Sequence, residues 1–240
     1  MCGRYVSATP PDEMAKYFGA AAPPPDLTLA PNHNVAPTQT VYAVRERDGA
    51  RSLDALHWGL VPFWAKDPKI GNRMINARAE TVATKNAFRV ALTRRRCIIP
   101  ADGFYEWRRL EGSKHKQPMF ISRPDGEPFA FAGLWEQWRD KDNPDDDGEP
   151  FELHSCTIIT CEANEAMAKV HDRMPVVLPP GAWDLWLDPA NSDAEVATSL
   201  LVPAPPGLIR MHPVSTEVNS ARNNGAHLIE PAEPLDLFSS

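Results

Sequence analysis

The chain has 240 residues, of which 42% are hydrophobic and 24% are charged, a composition typical of a soluble globular protein. This composition excludes coiled coils, collagen-like repeats and intrinsically disordered chains. No apolar run approaches the roughly 18 residues of a membrane-spanning helix, and the sequence MCGRYVSATPPDEMAK lacks the pattern of a signal peptide. We therefore expect one domain over residues 1–240 in an intracellular, cytoplasmic protein without a membrane partner.

The net charge of −7 argues against binding to nucleic acid, but the charge is unevenly distributed. Residues 1–120 carry a net charge of +7, whereas residues 121–240 carry −14. Five acidic residues lie in the segment DNPDDDGE (142–149), which has no apolar periodicity and is predicted to be a solvated loop. Two interpretations of the basic half remain open: a cationic face, or a segregation of like charges along the sequence without function.

The predicted elements are short because 25 prolines are scattered among the apolar segments. The first is a helix with Thr9 as its hydroxyl cap, acidic residues in its first turn, apolar residues at helical spacing and Gly19 as its end. A strand is predicted at Thr40–Arg45 and a second helix at Asn86–Arg94.

The later part of the chain alternates strand-like and helix-like segments without a regular βαβ order. This order favours an α+β fold in which mainly antiparallel, curved or barrel-like sheets are flanked by short helices. The predicted strands are Cys97–Pro100, Met119–Ser122, Phe129–Leu134, Leu153–Thr160 and Val176–Leu178, and the predicted helices are Asn164–Val170, Trp183–Leu187 and Glu195–Leu201.

Common signatures of nucleotide hydrolysis and metal-dependent proteolysis, such as Walker A, GxGxxG, GxSxG, HExxH and paired CxxC motifs, are absent from the sequence. Cys156 and Cys161 are five positions apart, which places them on opposite faces of a strand, where they cannot share a metal. We interpret them and Cys97 as small core residues with free thiols. The sequence therefore predicts neither a metal nor a cofactor.

Cys2 differs from these cysteines because a small second residue normally allows the removal of Met1. The processed chain then begins with a cysteine that has a free α-amine, with a pKa of about 7.7–8.0, and a thiol with a pKa of about 8.5. An amine condenses with an aldehyde to an imine, and the thiol can close on that imine to form a stable thiazolidine ring. Cys2 is therefore a candidate aldehyde trap, and the alternative is an ordinary residue of a frayed terminus.

Seven motifs occur in order along the chain: MCGRY, PNHNVAPTQ, WGLVPFWAKD, INARAET, CIIPADGFYEW, HDRMPVVL and HPVSTEVN. Together they resemble the SOS response-associated peptidase (SRAP) family over nearly the whole chain. The resemblance implies binding to single-stranded DNA, or to a junction of single-stranded and double-stranded DNA. It also implies a covalent thiazolidine between Cys2 and the ring-opened aldehyde of an abasic deoxyribose. The acidic segment 142–149 looks like an insertion without a family function.

The resemblance implies that Cys2 is the nucleophile, that Asn76 orients it, and that Glu106 and His171 are the acid/base pair. An abasic sugar is mostly a closed hemiacetal, so a general acid must protonate its ring oxygen before the aldehyde can react. Glu106 lies among three aromatic residues, and we expect partial burial to raise its pKa. Without the motifs, Glu106 would be interpreted as a surface carboxylate and His171 as a polar residue that ends a helix.

The predicted contacts with DNA are cationic, aromatic and loop residues. Three arginines each lie within two residues of a proposed catalytic position, which suits them to phosphate binding. Trp64 lies in PFWAK, where relatives present an aromatic side chain to the unpaired end of a duplex or to a base, and Ala65 stands where some relatives have a second tryptophan. The predicted set is Arg4, Asn34, Pro37, Trp64, Arg78 and Arg173.

Two other features have interpretations that concern the fold. Trp58 is predicted to belong to the core, since seven tryptophans cannot all contact DNA. The basic run at 94–96 closes a predicted helix and is equally compatible with hydrogen bonds to the carbonyls at the end of that helix.

Three functions remain as hypotheses at this stage. The first is a monomeric enzyme that crosslinks itself to abasic sites in DNA and shields them. The second is a cysteine peptidase, including self-processing, with a Cys2 thiolate, a His171 base and Asn76 as orienting residue. The third is a non-catalytic reader of modified DNA bases. The α-amine distinguishes the first two, because crosslinking requires it to be free whereas peptidolysis requires only the thiol.

Overall fold

The structure is a computed structural model that describes residues 2–144 and 149–235. Within these residues it contains twelve strands, four short α-helices and several 3-10 turns. The strands are β1 (Tyr5–Ser7), β2 (Asn32–Val35), β3 (Thr40–Arg47), β4 (Ala50–Trp58), β5 (Asn76–Arg78), β6 (Arg96–Ala101), β7 (Gly103–Arg109), β8 (Lys116–Ser122), β9 (Phe129–Pro144), β10 (Pro150–Glu162), β11 (Arg173–Pro175) and β12 (Arg210–Pro213). The α-helices are α1 (Pro11–Tyr17), α2 (Arg89–Arg94), α3 (Trp183–Leu187) and α4 (Ala194–Ser199).

Five strands close into a barrel in the order β10-β4-β3-β6-β9, because β9 also pairs with β10. The pairs are antiparallel except for β4 with β10, which is parallel. Beyond the barrel, the last part of β10 pairs with two short strands, β5 at Ile158–Thr160 and β11 at Thr160–Glu162. The barrel thus extends into a small sheet that has β5 and β11 on either side of β10.

The second sheet is antiparallel, with the strand order β12-β8-β7-β1-β2. One of its faces packs against the barrel: the Phe104 ring lies 5.8 Å from the rings of Phe129 and Phe131, and Tyr5 packs edge-on against Trp58 at 5.3 Å. A smaller apolar cluster covers the opposite face. The α+β prediction with curved, barrel-like sheets is therefore confirmed.

Several predicted elements match the structure. Helix α3 has the predicted bounds, α1 ends before Gly19, whose φ of +62° ends the helix, and Trp58 is fully buried. The basic run contributes to helix capping, because the buried Arg96 guanidinium donates a hydrogen bond of 2.7 Å to the Leu92 carbonyl of α2. No helix in the described ranges is both long and apolar enough to cross a membrane.

Other predictions were wrong in detail. The Thr9 hydroxyl donates to Asp102 at 2.6 Å and does not cap α1, which begins at Pro11. The strand predicted at Val176–Leu178 is replaced by β11 just before it. After Pro175 the Val176 N–H still donates to the Ile159 carbonyl of β10, but the segment then turns to β9, which it meets through a single bridge from Val177 to Phe131.

The remaining differences concern lengths and one loop. Residues 86–88 form a turn, so α2 is shorter than the predicted Asn86–Arg94 helix, and the predicted Asn164–Val170 helix is only a 3-10 turn at Met167–Lys169. In the acidic segment, residues 142–144 continue β9, and 145–148 lie outside the described residues.

Gly133 provides a test of the packing in the barrel. A Cβ atom there would lie 2.9 Å from Cys97 Sγ and 3.0 Å from Ile99 Cγ1. We therefore expect Gly133→Ala to lower the free energy of unfolding by about 1–3 kcal/mol. Gly181→Ala is the matched control, because no atom lies within 4 Å of its added Cβ. Urea denaturation measures both changes, and equal values for the two variants would contradict this close packing around Gly133.

Candidate active site and nucleic-acid interface

Cys2 lies just before β1 and is completely buried. Its carbonyl accepts a hydrogen bond of 2.8 Å from Asn76 Nδ2 on β5, and the backbone N–H of Arg4 donates to its thiol. Immediately before β1, the Arg4 carbonyl accepts a hydrogen bond of 2.9 Å from the Tyr105 N–H of β7. The N-terminal segment is therefore held between β5 and β7.

Glu106 also belongs to this buried group, with only 4% of its surface exposed. It follows Phe104 by two positions on β7, so its side chain faces the core between the two sheets and not the solvent. Burial raises the pKa of the Glu106 carboxyl to about 7. Near neutral pH this carboxyl therefore exists in both its protonated and its ionised form, as a proton donor and acceptor requires.

The pKa of the Cys2 thiol is raised as well. Its pKa lies well above the ordinary value of 9.0, chiefly because of burial and secondly because of the negative charge of Glu106. The ionisable side chain that acts most strongly on the thiol is thus a carboxyl group and not an imidazole. At neutral pH the thiol is protonated.

Asn76 contributes a second polar atom to this group. Its Oδ1 is buried and has no hydrogen-bond partner among the described residues, while its Nδ2 donates to the Cys2 carbonyl. A buried acceptor without a partner costs free energy, which a bound ligand with a donor group would recover. Three of the four predicted catalytic residues, from distant parts of the sequence, thus meet at one buried point.

His171, the fourth predicted catalytic residue, is half-buried at the start of the turn into β11. Its Nδ1 lies 3.0 Å from the Arg173 backbone N and 2.7 Å from Asp172 Oδ1. Burial lowers the pKa of the imidazole. In the neutral ring Nδ1 accepts from the Arg173 N–H, so Nε2 carries the proton, and Asp172 becomes the partner once Nδ1 is protonated.

A cleft of about 560 Å³ adjoins His171. Its walls come from the β7–β8 hairpin, where Arg109 pairs with Lys116, and from the segment before His171, which supplies Lys169. These three cations were not predicted as site residues. For Arg109 and Lys116, the signal in the sequence was the basic residues on either side of the hairpin turn in WRRLEGSKHK.

Arg78 and Arg173 lie on the two strands that flank the end of β10, opposite Thr160 and Glu162 respectively. Arg78 is exposed. Arg173 is mostly buried and donates two hydrogen bonds to the Glu80 carboxylate, at 2.7 and 2.9 Å. Glu80 raises the pKa of Arg173 and was not recognised in the sequence, because its partner is distant along the chain.

Arg4 and Asn34 have a different environment from the one predicted. Arg4 Nη1 donates to Asn34 Oδ1 at 2.7 Å and to the Val218 carbonyl at 2.8 Å. Asn34 is 1% exposed, and its Nδ2 donates to the carbonyls of Ser220 and Asn223 at 2.9 Å. Both side chains therefore hold residues 218–223 against β1 and β2, Asn34 as a buried residue and Arg4 through its Nη1.

The two remaining predicted contacts are at the surface. Pro37 lies partly exposed in the turn between β2 and β3, and Trp64 is 48% exposed in the loop after β4. In the described part of the chain, no group of three His, Cys, Asp or Glu side chains could hold a metal ion.

The raised pKa of Glu106 has a consequence for stability. The folded protein binds the Glu106 proton more tightly than the unfolded chain, whose value is 4.5, so this stabilisation is complete below pH 4.5 and is lost as the pH rises through about 7. Between pH 4.5 and 8 we expect the wild type to lose about 3 kcal/mol of unfolding free energy relative to Glu106→Gln.

Urea denaturation of the two proteins across this pH range measures the difference. Glu195→Gln, a substitution at an exposed position on α4, is the control and should follow the wild type. If the curves of the wild type and Glu106→Gln are parallel over the whole range, burial of this carboxyl does not raise its pKa in the folded protein.

Comparisons with known proteins identify relatives of the whole chain. A family model described as SOS response associated peptidase (SRAP) matches residues 1–221. The chain is 44% identical over 230 residues to a Bacillus subtilis protein named abasic site processing protein YoaM, which covers 96% of this chain and 98% of that protein. It is 37% identical over 237 residues to Escherichia coli abasic site processing protein YedK, with coverage of 96% and 100%.

Solved structures agree with this relationship. A crystal structure of a Bacteroides thetaiotaomicron protein has a TM-score of 0.84 and 26% identity, and the match covers 97% of this chain and 100% of that chain. A Bordetella bronchiseptica protein has a TM-score of 0.71 and 27% identity, with coverage of 89% and 100%. With the family match extending over almost the whole chain, the protein belongs to the SRAP family.

Proposed function

We propose that this protein processes abasic sites in DNA by forming a covalent crosslink through Cys2. The main support is the meeting of Cys2, Asn76 and Glu106, in which an amide holds the Cys2 carbonyl and a carboxyl with a pKa of about 7 acts on the thiol. Relatives that match the chain over nearly their whole length are named abasic site processing proteins, which supports the same substrate.

The chemistry requires that Met1 be removed, so that Cys2 has a free α-amine. The amine attacks the aldehyde carbon of the ring-opened abasic sugar, and loss of water gives an imine. The sulfur then adds to the imine carbon, its proton moves to the nitrogen, and a thiazolidine ring closes. A protonated, buried thiol needs a nearby proton acceptor for this last step, and Glu106 is the ionisable side chain that acts on it.

Glu106 has an earlier role in the same proposal. The closed sugar opens when its ring oxygen receives a proton, and a carboxyl with a pKa of about 7 is partly protonated at the pH of a cell. His171 serves as the second proton-transfer group at the edge of the cationic cleft. The buried Asn76 Oδ1 remains as an acceptor for a hydroxyl or amine donor of the reacting groups.

The proposed substrate is an abasic site in single-stranded DNA or at a junction with double-stranded DNA. Exposed Arg78 and the three cations of the His171 cleft can bind phosphates, while Arg173 offers a guanidinium whose position is fixed by Glu80. Trp64 and Pro37 are surface residues that can contact bases or sugars, whereas Arg4 and Asn34 act indirectly by positioning the strand that follows Cys2. One chain supplies all these groups, so we propose a monomer.

The environment of the thiol favours crosslinking over the cysteine peptidase alternative. A peptidase needs a thiolate at neutral pH, which is obtained by lowering the thiol pKa with an imidazolium or a helix N-terminus. In this protein, burial and the Glu106 charge raise the pKa of Cys2. The amine-first reaction does not require a thiolate, because the thiol attacks only after the imine has formed.

Cys2→Ser tests the requirement for a thiol beside the amine. The variant should retain DNA binding and form at most a transient imine, so the stable crosslink should be lost. Intact-mass spectrometry after incubation with abasic single-stranded DNA measures both the removal of Met1 and the adduct. Cys161→Ser, which alters another buried cysteine, is the control and should crosslink normally. A heat-stable adduct of undiminished yield with Cys2→Ser, without borohydride, would refute the proposal.

Glu106→Gln tests the acid that opens the sugar. Glutamine has a similar size but cannot deliver a proton, so the single-turnover crosslinking rate on abasic single-stranded DNA should fall by roughly 10²–10⁴-fold. The rate with a simple open-chain aldehyde should fall less, because that substrate needs Glu106 only as the proton acceptor for the thiol and not for ring opening. An equal decrease with both substrates would assign Glu106 to the imine or thiol step only, and no decrease with either would make it structural.

A further inference from the structure

The inner face of the barrel carries a charged residue, Arg45 on β3. In the β3–β4 ladder Arg45 lies opposite Ser52, and only 4% of its surface is exposed. Burial raises the pKa of the Cys97 and Cys156 thiols, and the positive charge of Arg45 opposes this rise, so Arg45 lies close to both buried thiols. A charge inside a small barrel is costly unless it has partners, and the surroundings of Arg45 show which partners it has.

Three groups contact the ring of Trp135 on β9. The guanidinium carbon atoms of Arg45 and Arg47 lie 4.6 and 4.7 Å from the ring centroid, and the His154 imidazole meets the ring edge-on, with its centroid 6.0 Å away. Burial lowers the pKa of Arg47 and of His154, and the nearby charge of Arg45 lowers both pKa values further. Arg45, Arg47, Trp135 and His154 form what we call the barrel-mouth cluster.

Carboxylates compensate only part of the positive charge on β3. Asp54 accepts a hydrogen bond of 2.7 Å from Arg45 Nε and one of 2.8 Å from the Ser52 hydroxyl. Arg47 forms no hydrogen bond or ion pair with any residue in the described ranges, and Asp48, in the turn after β3, attracts it without forming an ion pair. The exposed Arg47 therefore keeps a charge that a bound anion could neutralise.

The carboxylate of Glu152, on β10, is bound mainly to other residues. It pairs with Arg139 at 2.6 Å and accepts a hydrogen bond of 2.6 Å from Gln137, whereas His154 Nε2 is 3.9 Å away, too far for a hydrogen bond. Glu152 and Asp54 attract the protonated imidazole, but burial and the two arginines outweigh this attraction and lower the pKa of His154. The carboxylates therefore leave the cluster with an excess of positive charge.

Two nitrogen atoms of the cluster are buried without a hydrogen bond. They are Arg45 Nη1 and His154 Nε2, and neither has a hydrogen-bond partner among the described residues. A buried donor without a partner costs free energy, which an anion with several acceptor oxygens would recover. The cluster thus combines two unpaired buried nitrogens with the uncompensated charge of Arg47.

The barrel-mouth cluster is remote from the candidate active site. On β10, His154 precedes Ile158, which pairs with Asn76, by four residues, a separation of about 13 Å along a strand. On β3, Arg45 and Arg47 lie in the last three residues of the strand. No residue of the cluster has a role in the proposed crosslinking, so an anion bound here would be a ligand beyond that function.

We propose that the barrel-mouth cluster is a binding site for a phosphate group. Arg45 Nη1 and His154 Nε2 each donate to a phosphate oxygen, and the Arg47 side chain folds over the ion from the end of β3. These donors come from β3 and β10, which are separated by β4, so they approach the ion from different sides. This arrangement suits the tetrahedral oxygens of a phosphate better than the two coplanar oxygens of a carboxylate. The phosphate is either the inorganic ion or part of a small monoester such as a mononucleotide.

NMR of the His154 imidazole reports binding at this site and not at other cations of the protein. The ring signal that disappears in His154→Gln identifies this residue among the seven histidines. In a titration with inorganic phosphate at constant ionic strength, this signal of the wild type should shift to saturation. Bound phosphate should also raise the pKa of His154 by about 1–3 pH units, because an anion beside the ring favours its protonated form.

Arg47→Ala should weaken phosphate binding by about 10-fold or more, because an interaction with a charged group is lost. Arg47 is exposed, so the variant should fold, which thermal unfolding checks. Arg94→Ala is the matched control, since it removes another exposed arginine, at the end of α2, and should bind phosphate as the wild type does. Without phosphate, the pKa of His154 should rise in Arg47→Ala and not in Arg94→Ala, because only the first variant loses a charge that repels the protonated ring.

Thymidine monophosphate and thymidine distinguish the two sources of the phosphate. Tighter binding of the monophosphate than of inorganic phosphate would identify a nucleotide as the ligand, whereas equal or weaker binding would identify the free ion. The site is refuted if phosphate does not shift the His154 signal to saturation, if Arg47→Ala and Arg94→Ala bind phosphate equally, or if thymidine gives the same response. None of these results bears on the proposed crosslinking, which Cys2→Ser tests separately.

Discussion

The position of the candidate site depends on the pairing of β10 with four other strands. Its first residues pair with β9 and β4 and close the barrel, and its last residues pair with β5 and β11. A slip of one residue in any of these pairs would turn the side chains of that strand to the opposite face. Because the closed barrel fixes the register of β10, it also fixes where Asn76, Arg78 and Arg173 lie relative to one another.

Burial between the barrel and the second sheet gives the site its proton chemistry. Glu106 occupies a position on β7 that an apolar residue would fill in an ordinary strand, and this raises its pKa towards neutrality. The same burial disfavours its ionised form, so the folded state is least stabilised at the pH where the carboxylate can accept a proton. The proton transfer that we propose for Glu106 and the pH dependence of stability therefore have one physical cause.

The sequence predicted best those features that depend on neighbouring residues. The bounds of α3 and the end of α1 at Gly19 follow from local periodicity and backbone preference. Strand β4 was not predicted, since its mixture of polar and apolar residues has no clear period. The strand predicted at Val176–Leu178 was wrong because the competition between β10 and β9 for that segment is not visible locally.

For the candidate site, the ordered motifs predict which residues belong to it but not how their side chains are held. Arg4 is predicted to bind phosphate from its position near Cys2, and the structure adds a hydrogen bond from its Nη1 to the Val218 carbonyl, 214 positions away. Asn34 is similar, with partners that are 184 to 189 positions distant. Such contacts form only when the C-terminal segment folds back over β1 and β2, so no spacing rule could reveal them.

Arg78 and Arg173, which lie beside β10, are both predicted from the sequence to contact phosphates, but their side chains have different environments in the structure. Arg78 is exposed, so in the proposed function it loses side-chain entropy on binding a phosphate. Arg173 has already lost that freedom through its two hydrogen bonds to Glu80 and a third to the Thr160 carbonyl. The Glu80 charge offsets the attraction of Arg173 for a phosphate, while its geometry fixes the direction of the guanidinium. In the proposed function, affinity for DNA should therefore depend more on Arg78, and alignment of the DNA strand at the site more on Arg173.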